Sequence, residues 1–171
     1  MASRLQLRHR YPQPPERIQA VLTDPDYLRD KLRAVGGPRA ELVSREQDGR
    51  GITVVLRQAV PDDALPSFLR SAFSGGFAGG FAGGLTIRRT ETWTNSGGRV
   101  HAVVDGAPGT ITGTMRLEPE PAGCVLGAEL TAEVPLPLIG GKVERVITDN
   151  IGKLMDAEHR FTLQWLRDTG A

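Results

Sequence analysis

A single cysteine, Cys124, stands in 171 residues, so no internal disulfide can form and stability must come from a buried core, which a chain of this length can supply. Lysine is nearly as scarce, at Lys31, Lys142 and Lys153 alone; the bias toward arginine reads as a coding preference and is given no function as a group. A formal net charge of +1 provides no field to gather nucleic acid, which is not expected as a partner. No apolar run approaches the roughly 18 residues of a membrane span. Arg4, Arg8 and Arg10 interrupt the beginning of the chain, where a secretory leader would be apolar. Stable membrane insertion is therefore not expected, transient contact with a membrane surface stays open, and a reducing cytoplasm is the expected location. The chain also lacks a His-Glu-x-x-His pair, a phosphate loop ending in Lys-Ser/Thr and a Gly-x-Ser-x-Gly elbow. His9, His101 and His159 fall on separate predicted elements, so neither a metal nor another cofactor is expected.

What is present is periodicity. Residues 3 to 11 alternate, with Leu5, Leu7, His9 and Tyr11 on one face, as in a half-buried strand. Pro15 can open a short helix bearing Ile18, Val21 and Leu22. Asp24 can cap a second one bearing Tyr27, Leu28, Leu32 and Val35, which Gly36 and Gly37 stop. Residues 40–46, 52–60, 85–94, 99–104, 110–117 and 124–134 read as strands joined in hairpins by turns rich in glycine and proline. From Leu138 onward, Val143, Ile147, Ile151, Leu154, Phe161 and Trp165 recur at helical spacing, predicting one amphipathic helix over about 138–167. The expected fold is α+β: a seven-stranded curved antiparallel sheet wrapped around a long C-terminal helix, with two short helices between strands 1 and 2. All 171 residues are expected to form a single domain, with an insertion at 73–85. That insertion repeats Phe-Ala-Gly-Gly and spaces Phe73, Phe77, Phe81 and Leu85 four apart. It reads as a flexible loop, as part of the core, or as a lid in which Phe77 and Phe81 cover a cavity mouth.

Polar residues fall where apolar ones belong. The inward parity of strand four, set by Leu85, Ile87 and Trp93, also carries Arg89 and Glu91. Asn150 and Glu158 fall within the stripe of the long helix, and His9 and Gln58 on apolar strand faces. Singly, each reads as a satisfied buried polar residue; together they fit a wet cavity better than a dry core. Ile87, Trp93, Met115, Asn150, Leu154 and Phe161 are the expected ligand contacts. Glu91, as general acid or base beside Arg89, is a weak catalytic candidate against the competing reading of a structural ion pair. Trp93 and Trp165 read first as packing anchors.

The element order, with the phrases Thr90-Glu-Thr-Trp93 and Val134-Pro-Leu-Pro-Leu-Ile-Gly-Gly-Lys-Val-Glu144, resembles the START-like superfamily of polyketide cyclases, dehydratases and lipid-transport proteins, and within it an uncharacterised branch known as a domain of unknown function. The resemblance implies a helix-grip fold with a hydrophobic cavity between sheet and helix, and a lipid, polyketide or similar small apolar molecule as partner. It implies no fixed catalytic residues. Ligand binding is the expected function, with a metal-independent cyclase or dehydratase as the alternative.

Overall fold

The computed structural model describes residues 2–60, 67–68, 85–105 and 108–170. Along the chain run β1 (Ser3–Tyr11), α1 (Pro15–Leu22), α2 (Pro25–Val35), β2 (Glu41–Asp48), β3 (Gly51–Val60), β4 (Leu85–Thr94), β5 (Gly97–Val104), β6 (Thr110–Glu120), β7 (Gly123–Glu133) and α3 (Gly140–Thr169). The strands form one antiparallel seven-stranded sheet in the order β1-β7-β6-β5-β4-β3-β2. It is curved and open, and α3 lies along it, packed chiefly against β1, β7 and α2. The residues of the glycine repeat before Leu85, with Phe77 and Phe81, lie outside the described residues.

Each element follows from local chemistry. The β2–β3 turn is pinned by Asp48, whose Oδ1 accepts from the backbone of Arg50 at 2.7 Å and Gly51 at 3.1 Å. At the β4–β5 turn Thr94 pairs with Gly97, whose φ of 129° is open to glycine and strained for other residues. In α2, Asp24 Oδ1 accepts from the N–H groups of Asp26 and Tyr27, both at 2.9 Å, which caps the helix as its sequence predicts. Val43 is the extra residue of a bulge between Leu42 and Ser44, and it turns outward.

Two expectations are corrected. The long helix begins at Gly140, and Leu138 precedes it, fully exposed and at φ 68°. Val134-Pro-Leu-Pro turns the chain before the helix starts, and Leu136 N bonds to Val134 O at 2.8 Å. The second correction concerns which line of α3 is buried. Val143, Glu144, Thr148, Met155, Glu158, Thr162 and Leu166 are buried, whereas Ile147, Ile151, Leu154, Phe161 and Trp165 are only half-buried. At about 100° per residue the buried line is rotated by roughly 60° from the apolar stripe. The helix thus turns acids and hydroxyls, rather than its richest apolar face, into the grip.

Candidate functional site

Beneath α3 lies a cluster of buried charges. Glu158, on the buried line of the helix, receives Arg89 Nη1 of β4 at 3.1 and 3.3 Å to its two oxygens. Gln58 Nε2 of β3 donates to the same carboxylate at 3.3 Å, and Lys31 Nζ of α2 stands 3.6 Å away. Arg89 also places Nη2 2.5 Å from Glu91 Oε1, while the Trp93 indole N–H donates to Glu91 Oε2 at 2.9 Å. Trp93 lies flat against Gly98 of β5, where a Cβ would come 3.0 Å from the ring; the missing side chain makes room for the indole. Lys31 and Glu91 are each 3% exposed, so these charges have exchanged water for one another. Burial by itself would raise the Glu158 carboxyl, but the charges of Arg89 and Lys31, with hydrogen bonds from Gln58 and Arg89, hold it below the usual carboxylate range. Burial likewise opposes the charge on Arg89, yet Glu158 and Glu91 outweigh it and hold the guanidinium above its ordinary value. One donor is left over: Arg89 Nε is buried with no hydrogen-bond partner among the described residues.

Around this cluster runs a hydroxyl and imidazole layer. Thr162 Oγ1 donates to the Glu158 backbone carbonyl at 2.7 Å, which leaves it to accept from the Tyr27 hydroxyl at 2.8 Å. Burial pushes the Tyr11 and Tyr27 phenols above their ordinary value, so both remain donors. His9 lies against Asp156 Oδ1 at 2.8 Å and stacks on His159, with ring centres 4.5 Å apart. His159 Nε2 donates to the Arg10 carbonyl at 2.8 Å. Its pKa is lowered, by burial first and by His9 as well, against the opposing hydrogen bond to Arg10.

Two hollows flank the cluster. One, of about 30 Å³, is polar and is bordered by His9, Tyr27, Lys31, Glu91 and Glu158. The other, of about 40 Å³, is apolar and is bordered by Ile87, Ala102, Ile111, Leu130, Ile151 and Leu154, with Gln58 at its edge. Arg89, Met115 and Met155 line both and form the partition between them. Each has room for a few waters only, since a single water needs about 10–15 Å³ on this measure. A polar groove of about 240 Å³ over Gly127 on the opposite face of the sheet, bordered by Arg8, Arg116, Glu118 and Glu129, has no part in this arrangement.

Of the residues singled out in the sequence, Ile87, Leu154 and Met115 border the apolar hollow, and Trp93 and Glu91 the polar one. Arg89 touches both. Asn150 turns its amide back to the Val146 carbonyl at 2.8 Å, and it borders neither hollow. Phe161 packs against Tyr27 with ring centres 5.9 Å apart, also outside both. His159 is half-buried and stacks on His9, which brings two of the three histidines together although they fall on separate elements. Lys31 was legible but missed: it sits between Tyr27, Leu28 and Leu32 on the apolar stripe of α2, an unusual place for a lysine.

Comparison with known proteins agrees with this architecture. An uncharacterized protein of Mycobacterium tuberculosis is 29% identical over 164 residues, covering 88% of this chain and 89% of that protein. A START superfamily protein from Mycobacterium smegmatis superposes with a TM-score of 0.57 at 16% identity, over 94% of this chain and 97% of the other. The di-domain ARO/CYC StfQ from the steffimycin biosynthetic pathway superposes with a TM-score of 0.61 at 13% identity, over 99% of this chain and 52% of that one. At such identities the likeness concerns the fold, which is the START-like helix grip. Over residues 6–166 the sequence matches the family described as "Protein of unknown function (DUF2505)", and the chain belongs to that family.

Proposed function

We propose that this chain binds a small, largely apolar molecule between the sheet and α3. The apolar body of the ligand rests against Ile87, Ile111, Leu130, Ile151 and Leu154, and its polar end meets Arg89 and Gln58. The observation that carries this reading is an apolar hollow closed at one end by a buried charged cluster that retains an unused donor. The hollow must widen to admit anything larger than a few waters. Two features favour such widening: α3 packs chiefly against β1, β7 and α2 rather than the middle strands, and two of the three side chains of the partition are methionines, whose unbranched chains repack at low cost beside the fixed Arg89. The START superfamily and ARO/CYC proteins that share the fold support the same class of ligand.

The cyclase or dehydratase alternative, with Glu91 as acid or base, finds less support. Glu91 Oε2 accepts from the Trp93 indole, and Oε1, which has no hydrogen bond among the described residues, is ion-paired to Arg89, as the structural-pair reading expects. Native mass spectrometry of protein recovered from its own host, followed by solvent extraction, tests the binding reading. A discrete mass increment that is lost on denaturation is expected. Protein free of any increment, and unable to take up the neutral dye Nile red, would overturn it.

A further inference from the structure

We infer that the ligand of this site is uncharged and presents an oxygen acceptor, as in an alcohol, ketone or ester, and that a free carboxylate is excluded. The inference rests on the binding reading above and adds the chemical class. Among the described residues the buried cluster is closed in charge: Lys31 and Arg89 supply two formal positive charges, Glu91 and Glu158 two negative ones, all within hydrogen-bond or ion-pair reach. Gln58, the remaining side chain on Glu158, is neutral. Beyond the cluster, Asp156 is half-exposed to solvent and hydrogen-bonded to His9.

A carboxylate entering here would bring a fifth charge into a space that has no counter-ion left for it among the described residues. Its desolvation would go uncompensated, and it would compete with Glu91 and Glu158 for the same guanidinium. A neutral oxygen meets neither obstacle. It needs a single donor, and Arg89 Nε is that donor: buried, without a partner among the described residues, on a side chain that borders the apolar hollow. The same geometry makes selectivity a matter of charge count, so adding one positive charge to the cluster should invert it.

The test displaces Nile red from the full chain at pH 7 with decan-1-ol, methyl decanoate and decanoate. The alcohol and ester are expected to bind about tenfold or more tightly than decanoate, a difference of about 1.4 kcal/mol or more. Glu158→Gln leaves the cluster one positive charge in excess and should reverse the order, while Lys31→Met combined with Glu158→Gln should restore it. Should Glu158→Gln fail to fold, Gln58→Lys adds the same charge without removing a member of the cluster and should likewise favour decanoate. Decanoate binding as tightly as decanol in the unaltered chain, or no change of preference in the folded variants that carry the extra charge, would overturn the inference and leave the binding site standing. Failure of all three probes and of the dye would overturn both.

Discussion

Glu158 is the residue on which three elements converge, since β4, β3 and α2 each send it a side chain. Removing it strands Arg89 and Lys31 as buried cations, so Glu158→Ala should destabilise the chain by about 3–5 kcal/mol, measured by denaturant unfolding at pH 7. Its folded pKa is depressed. The stabilisation is therefore present above the unfolded carboxylate value of about 4.3 and is lost as pH falls through the lower folded value. Unfolding curves between pH 7 and pH 3 should show a steeper loss in the wild-type chain than in Glu158→Gln. His159 acts in a higher window. Its folded pKa is also lowered, so near the unfolded value of about 6.5 the unfolded chain takes up the proton first, and stability should decline as pH drops from there toward the folded value. His159→Gln should flatten the change between pH 7 and pH 5; an unchanged slope would show that the burial of His159 does not govern it.

Among the elements, α2 and the β7–α3 connection offer the clearest tests. Asp24→Ala removes both acceptor contacts at the start of α2 and should cost about 1 kcal/mol. Leu138 is a leucine in the left-handed region with nothing covering it, so Leu138→Gly should relieve strain and stabilise the fold by about 1 kcal/mol, read as a shift in the denaturation midpoint. Most elements were legible because their signals are local: alternation in β1, Asp24 before a proline, glycines at the β2–β3 and β4–β5 turns. The orientation of α3 was not. Its apolar residues define a stripe, but what the helix buries is decided by counter-charges on strands and helices far away in sequence, and Lys31 and Arg89 draw Glu158 inward. That rotation explains why Asn150 and Phe161, at the far edge of the stripe, border neither hollow, and why His159 is carried inward against β1.

For the molecule as a whole, binding should appear as stabilisation linked to ligand concentration, about 2.7 kcal/mol at a hundredfold excess over Kd. Amide exchange along α3 should slow with it, since that helix must settle back onto the sheet; equal exchange with and without decan-1-ol would mean that the ligand sits elsewhere. The strand order carries a different consequence, one concerning the chain as it is made. β1 is synthesised first, yet its partner is β7, with Ser3 opposite Ala132. β3 through β7 can each pair with the strand just before, while β1 waits for the far edge to form. At a ribosomal pace of about 5–20 residues per second, that wait lasts on the order of ten seconds. Throughout it Leu5, Leu7 and Tyr11 are a strand with no neighbour, open to a chaperone, a protease or the β1 of another nascent chain. Ribosome-bound chains stalled before residue 123 should be clipped within residues 3–11, and those stalled well beyond residue 133 should resist, which ties the closing of this sheet to the emergence of its last strand from the ribosome.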